Sequence, residues 1–169
     1  MEAYEAVLSR RSIRKFHSDR VSEEIVDKLL AAGMNAPSAG NQQPWHFIVI
    51  DDREILNKIP EFHQYSQMLK HAPLAICVCG DLAKQIHEGY WIQDCSAATE
   101  NILIAAHALG LGAVWLGIHP RKKRIEGLKE LLNIPDSVEP LSLISLGQPD
   151  EEKPPAERYL QERIHRNGW

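Results

Sequence analysis

The most informative stretch of the chain is the loop Ala36–Trp45, which leads directly into the apolar segment His46–Ile50. Its two prolines fix backbone angles, and Gly40 permits a positive φ. A rigid loop of this kind presents backbone N–H and C=O groups to a ligand. The three amide side chains of Asn41–Gln43 offer paired donors and acceptors that suit a planar heterocycle. The alternative interpretation is an ordinary connection between a helix and a strand.

A second candidate feature is the basic segment Arg10–Phe16, in which five of the seven positions are basic or hydroxylic. Arginine binds phosphate through two parallel hydrogen bonds, and the hydroxyl of Ser12 adds a further donor. Because the chain has a net charge of −4, this local positive cluster indicates a specific anion. The alternative is a solvated cap, since cations interact favourably with the C-terminal end of a helix dipole.

Two glycine-containing segments complete the set of candidates. In Gly110–Gly117 the last glycine stands in or just after an apolar strand, where it permits close approach of a flat ligand. A strand bend or bulge is the alternative interpretation of this glycine. Trp115 in the same segment is either a core side chain or a ligand contact. The fourth segment is Gly147–Pro149, which Arg158 follows in the C-terminal tail.

Helices and strands must position these segments, and apolar periodicity predicts where they lie. Ser22 is predicted to cap the second helix, Gly33 to end it, and Pro60 to separate two short helical pieces. Helices are predicted over residues 2–9, 22–33, 53–59, 64–70, 93–109 and 121–132, and strands over 46–50, 74–79, 113–118 and 141–146.

The helix predicted over Gln93–Leu109 is apolar on most of its circumference, so it must be buried on most sides. In a chain of 169 residues, a partner subunit is the expected second cover. Gly110 then occupies the position at which a Schellman motif requires a left-handed residue. We expect residues 1–169 to form one domain, with residues 147–169 an arm that packs on the partner subunit.

Composition limits the classes of function. The net charge of −4 does not favour nucleic acid or an acidic membrane surface. No apolar run approaches the roughly 18 residues that span a bilayer, and the first residues lack the pattern of a signal peptide, so we expect a cytoplasmic protein. The three cysteines, Cys77, Cys79 and Cys95, lack metal-ligand spacing and are expected to be small core residues, with no metal site.

In their order and spacing, the four segments resemble the nitroreductase family of FMN-dependent oxidoreductases, in its short form. The resemblance covers nearly the whole chain. It implies an α+β sandwich fold, with a central mixed or antiparallel sheet flanked by helices. It also implies an intertwined homodimer, in which two FMN sites lie at the subunit interface and take residues from both chains.

The resemblance also implies roles for individual residues. Arg10, Ser12 and Arg158 would hold the FMN phosphate, and Arg14 would lie near the ribityl chain and the N1–O2 edge of the ring. The loop residues would come from the other subunit, and the backbone of Leu116 and Gly117 would face N5. The complete set assigned to FMN binding is Arg10, Arg11, Ser12, Arg14, Pro37, Ser38, Ala39, Asn41, Gln64, Trp115, Leu116, Gly117 and Arg158.

The chain departs from the family pattern in two places. Longer members place an amide and a lysine beside the pyrimidine edge of the flavin, where this chain has Gln64 and Gln67. Longer members also have a lysine two residues before the tail arginine, where this chain has Ala156. Phosphate binding would then depend on Arg158, or on Lys153 folding back.

The implied activity is a ping-pong transfer of two electrons from NADH or NADPH, through flavin N5, to an electron-poor acceptor such as a nitroaromatic or a quinone. No catalytic side chain is required, because the flavin performs the redox chemistry. The same fold also allows a dehalogenase-like or flavin-consuming enzyme. A non-enzymatic alternative is an FMN-binding or storage protein, or a basic-patch protein without flavin.

Overall fold

A four-stranded antiparallel sheet forms the centre of the computed structural model, which describes residues 1–169. The strands are β1 (Trp45–Ile50), β2 (Leu74–Asp81), β3 (Gly112–Gly117) and β4 (Val138–Gly147). Their order across the sheet is β1-β2-β4-β3, and every neighbouring pair is antiparallel. Strand β2 is buried along nearly its whole length, as expected for a central strand covered on both faces.

Helices cover both faces of this sheet. They are α1 (Ala3–Ser9), α2 (Glu23–Met34), α3 (Arg53–Phe62), α4 (Trp91–Ala108) and α5 (Lys122–Leu132), with short 3-10 turns at Ala39–Asn41, Gln67–Lys70, Leu82–Lys84 and Gln161–Arg163. One apolar core lies between the sheet and the pair α2 and α4, and a second lies between the sheet and the pair α3 and α5. This arrangement confirms the predicted α+β sandwich. None of the helices combines the length and the apolar character that a membrane crossing requires.

The long helix α4 ends as its sequence predicts. Gly110 has a φ of +81°, and its N–H donates to the carbonyl of His107 at 3.0 Å. The N–H of Leu111 donates to the carbonyl of Ala106 at 2.8 Å, which completes a Schellman motif. Ala97 and Ile104 on the same helix are only half-buried in the single chain. The partner subunit expected to cover them stays a prediction.

One detail predicted for α2 is wrong, and a second is confirmed only in part. Gly33 does not end the helix but lies within its last turn, and a Cβ there would stand 3.0 Å from Cδ1 of Ile102. The glycine therefore permits the close approach of α2 to α4. Ser22 does stand at the N-cap position, but its side chain makes no capping hydrogen bond.

The prediction that Pro60 separates two helical pieces is also wrong. Pro60 lies inside α3, two residues before the last residue of the helix, Phe62. A proline so close to the end of a helix removes one backbone hydrogen bond without interrupting the turns that precede it. Of the second predicted piece, only the 3-10 turn Gln67–Lys70 forms.

The three cysteines are free and buried, which confirms their prediction as core residues. Cys77 and Cys79 lie on one face of β2, with their sulfur atoms 3.6 Å apart. Burial raises the pKa of the Cys95 thiol to about 12, with smaller contributions from Cys79 and Asp94. A thiol with so high a pKa is not a nucleophile at neutral pH.

The basic segment Arg10–Phe16 runs along the free edge of β3. The N–H of Ile13 donates to the carbonyl of Ala113 at 2.9 Å, and Ser12 forms a parallel bridge with the same residue. A Cβ on Gly112 would stand 2.7 Å from Cγ2 of Ile13. Gly112 is therefore the residue that lets the basic segment lie against the sheet.

We predict that Gly112→Ala destabilises the protein by about 1–3 kcal/mol, because the new methyl group overlaps a branched side chain held close to the backbone. The free energy of unfolding from a denaturant titration measures this change. Gly117→Ala on the same strand is the matched control, since no atom lies within 4 Å of a Cβ built there. Equal stability of the two variants would contradict the packing role of Gly112.

Candidate functional site

A groove of about 360 Å³ opens at the C-terminal end of β3. We call it the β3 groove. Its lining residues are Arg14, His63, Tyr65, Met68, Trp115, Leu116, Gly117 and Arg124. The end of the basic segment and the end of β3, two of the four segments singled out in the sequence, therefore meet here.

Gly117 forms an open part of the wall of this groove. It is exposed, and a Cβ built on it would meet no atom within 4 Å. Its carbonyl accepts a hydrogen bond from Nη1 of Arg124 at 2.6 Å, and the same guanidinium lies 5.6 Å from the centre of the Tyr65 ring. No packing within the chain requires a glycine at this position, so its missing side chain leaves room for a ligand.

Arg14 supplies an unpaired positive charge to the groove. Its guanidinium pairs with no carboxylate of the chain. Its backbone N–H donates to Oε1 of Glu151, which also accepts from the N–H of Lys15 at 3.3 Å. The N–H of Arg14, followed by the charge of Lys153, lowers the pKa of Glu151 despite partial burial. Glu151 thus fixes the backbone of the segment and leaves the Arg14 side chain available.

His63 is the site residue that the sequence analysis missed. It is 1% exposed, lines the β3 groove, and has no hydrogen-bond partner on either ring nitrogen. Burial, and then the charge of Arg124, lower the pKa of this imidazole. A neutral imidazole has one donor and one acceptor, and neither has a partner within the chain. No signal in the sequence distinguishes it from the other seven histidines.

The remaining basic residues lie along a second groove, of about 920 Å³, between α1 and residues 153–159. Arg11, Lys153 and Arg158 all line it. The Lys153 side chain lies against the basic segment, and its Nζ donates to the carbonyl of Ser12 at 2.7 Å. Arg10 instead pairs with Glu100, with Nε 3.2 Å from Oε1.

The loop Ala36–Trp45 is anchored at the start of α4. The buried carboxylate of Asp94 accepts from the N–H of Ala39 at 2.9 Å and from Nε2 of Gln42 at 2.6 Å. The side-chain oxygen of Gln42 accepts in turn from the N–H groups of Ile86 and His87. The amide of Gln42 therefore holds the loop, so it is not one of the groups that the loop leaves free for a ligand. Positive φ values of 54° at Gly40 and 55° at Asn41 give the loop its tight curvature.

Several predicted site residues lie outside the β3 groove of the same chain. Gln64 lines a neighbouring groove, together with Arg121 and Lys123. None of the loop residues that were assigned to FMN lines the β3 groove; these are Pro37, Ser38, Ala39 and Asn41. Trp115 is half-buried against the core and also lines the groove, and its contact with a ligand stays a prediction.

The comparisons with known proteins agree with this arrangement. The model of the nitroreductase family matches residues 7–64 and 61–148. The chain belongs to the nitroreductase family. A relative in Methanothermobacter thermautotrophicus, provisionally named as an NADH dehydrogenase/NAD(P)H nitroreductase, is 50% identical over 100% of this chain and 88% of its own length.

Solved nitroreductase-family structures have the same fold. The FMN-dependent nitroreductase of Clostridium difficile has a TM-score of 0.91 and 33% identity, over 98% of this chain and 99% of its own. A provisionally named nitroreductase from Desulfovibrio desulfuricans, solved in complex with FMN, has a TM-score of 0.86 and 32% identity, over 100% of this chain and 98% of its own. No group of three or more histidine, cysteine or acidic side chains in this nitroreductase could hold a metal ion.

We predict that His63 makes this nitroreductase less stable as the pH falls below about 6.5. Because its folded-state pKa is lowered, the unfolded chain binds a proton that the folded chain does not. Protonation of His63 in the unfolded chain therefore lowers the free energy of unfolding by at most about 1.4 kcal/mol for each unit by which the pH falls. Denaturant titrations between about pH 5 and about pH 7.5 should show a shallower pH dependence for His63→Gln than for the wild type.

Some pH dependence should remain in that variant. Burial, followed by the charges of Arg10 and Arg11, lowers the pKa of His107 in the same direction. Identical slopes in the wild-type and His63→Gln proteins would contradict a buried neutral imidazole at position 63.

Proposed function

We propose that this nitroreductase binds FMN and transfers two electrons from NADH or NADPH to an electron-poor acceptor such as a nitroaromatic or a quinone. The family membership and the names of the relatives support this class of reaction. The observation that carries the proposal is the β3 groove, where the open face of Gly117 lies beside the unpaired guanidinium of Arg14.

The residues of the β3 groove fit a flavin ring. A flat ring can approach the backbone at Gly117, where any side chain would intrude. The imidazole of His63 lines the same groove and has no hydrogen-bond partner in the chain on either ring nitrogen. When bound, FMN would supply the two-electron redox chemistry. Arg14 would stabilise the negative charge that the ring gains on reduction, since its own charge is not neutralised within the chain.

The phosphate end of FMN would lie near the basic segment and the tail. We propose Arg10, Ser12 and Arg158 as its ligands, with Arg11 contributing from the same segment. Arg11, Lys153 and Arg158 already line one groove, and no acidic side chain pairs with Arg11 or Arg158. Arg10 would need to share its charge between the phosphate and Glu100.

We further propose that the complete site requires two copies of the chain. Helix α1 exposes Tyr4, Val7 and Leu8, and the tail exposes Tyr159 and a fully exposed Trp169. Apolar surface of this extent on a small protein indicates a protein interface. In this arrangement the tail beyond position 153 would pack on the partner, and the loop residues Pro37, Ser38, Ala39 and Asn41 would complete the partner's flavin site. Gln64 would approach the pyrimidine edge from the neighbouring groove.

The open β3 groove suits two substrates that bind in turn. Tyr65 and Met68 both line the groove, and the Tyr65 side chain is exposed. The electron donor would bind first, leave, and be replaced by the acceptor at the same face. This order of binding and release gives ping-pong kinetics.

Absorbance of the purified protein tests the proposal. We expect a yellow protein with stoichiometric FMN, and we expect its visible absorbance to bleach on anaerobic mixing with NADH or NADPH and to return when a quinone is added. A colourless protein that does not bind added FMN would contradict the flavin assignment. Bound flavin that neither nicotinamide bleaches would contradict the oxidoreductase activity and favour a storage role.

A further inference from the structure

A further, strongly basic groove shares Arg14 with the β3 groove. It has a volume of about 560 Å³, and we call it the basic groove. Its lining residues are Arg14, Lys15, Phe16, His17, Ser18, Arg53, Lys70, His71 and Asp150. Four of these side chains are permanent cations and only one is a carboxylate.

The single carboxylate does not neutralise these cations. Asp150 lies 3.5 Å from Nε2 of His17 and makes no ion pair with an arginine or lysine. Lys15 and Lys70 also pair with no acidic side chain. In a chain with a net charge of −4, the basic groove therefore has a local excess of positive charge. Such a surface attracts and concentrates anions.

Arg53 gives the basic groove a rigid wall. Its guanidinium donates to the carbonyl of Leu69 at 2.6 Å and to the carbonyl of Ala72 at 2.5 Å. Backbone carbonyls orient the guanidinium but leave its full positive charge, unlike a carboxylate partner. Leu69 and Ala72 flank Lys70 and His71. The same two bonds therefore join the Arg53 side chain on α3 to the segment that carries Lys70.

Arg14 lines both the basic groove and the β3 groove. A ligand in the basic groove is therefore next to a ligand in the β3 groove, with one guanidinium between them. A molecule that reacts in the β3 groove and carries phosphate groups some distance from its reactive ring would match this pair of sites.

We propose that the basic groove binds the phosphate groups of the nicotinamide dinucleotide donor and favours NADPH over NADH. The inference rests on the proposed function, because it takes the β3 groove as the site of electron transfer. Arginine and lysine side chains are the usual ligands of phosphate. NADPH has one phosphate more than NADH, so a groove with four unneutralised cations binds it more tightly.

Charge reversal at Lys70 tests the proposal in the FMN-loaded protein. Lys70→Glu should raise the half-saturating concentration of NADPH for flavin reduction, measured by anaerobic stopped flow, at least about five-fold. The value for NADH should change less. Lys58→Glu is the matched control, because Lys58 is an exposed lysine on α3 that does not line the groove, and the net charge changes equally.

A binding measurement provides a readout that does not depend on turnover. Adenosine 2′,5′-bisphosphate should bind the FMN-loaded protein in calorimetry, weaken as salt is added, and bind at least about five-fold more weakly to Lys70→Glu and measurably more weakly to Lys70→Ala. Inorganic phosphate is the comparison ligand. If phosphate binds as tightly as the bisphosphate, the groove is a general anion site and the dinucleotide assignment is wrong.

The results separate this inference from the proposed function. If Lys70→Glu and Lys58→Glu have the same half-saturating NADPH concentration, the basic groove does not bind the donor, although the flavin still bleaches. If no nicotinamide bleaches the wild-type flavin, the proposed function itself fails. Should Lys70→Glu not fold, the Lys70→Ala measurements decide, since removal of an exposed side chain leaves the fold intact.

Discussion

The site depends on one close contact, between the basic segment Arg10–Phe16 and the edge strand β3. The hydrogen bond from Ile13 to Ala113 and the missing side chain of Gly112 allow the segment to lie against the sheet. Glu151 then holds the backbone N–H groups of Arg14 and Lys15. Without this contact, Arg14 would not reach the end of β3, and neither the β3 groove nor the basic groove would have its shared cation.

The two glycines of β3 divide the roles of this strand. Gly112 lies at one end, where the space above it is filled by the chain itself, and Gly117 lies at the other end, where that space is open. The first glycine serves the fold and the second leaves a surface for a ligand. The charges follow a similar division, because Glu151 fixes the backbone of the basic segment while no carboxylate pairs with the Arg14 side chain. Stability and ligand binding are thus assigned to neighbouring but different atoms.

Much of the fold could be predicted from local patterns in the sequence. The Schellman motif at Gly110 and the strands that follow apolar runs needed only local information. The roles of Gly33 and Gln42 depend on distant partners, Ile102 and Asp94, which no local pattern identifies. The same distinction applies to the candidate site. The motifs were sufficient to predict Arg14 and Gly117 as candidate binding residues. His63 and the basic groove arise from side chains that only the folded chain brings together.

In the proposed complex, the open face of Gly117 receives the flavin ring. The most direct test is the dissociation constant of FMN for Gly117→Ala, measured by titration of the flavin-free protein. Because the added methyl group meets no atom of the chain, the flavin-free variant should be at least as stable as the wild type. We expect FMN to bind Gly117→Ala at least about ten-fold more weakly than the wild type, a difference of about 1.4 kcal/mol. FMN affinity equal to that of the wild type would contradict this placement of the flavin ring.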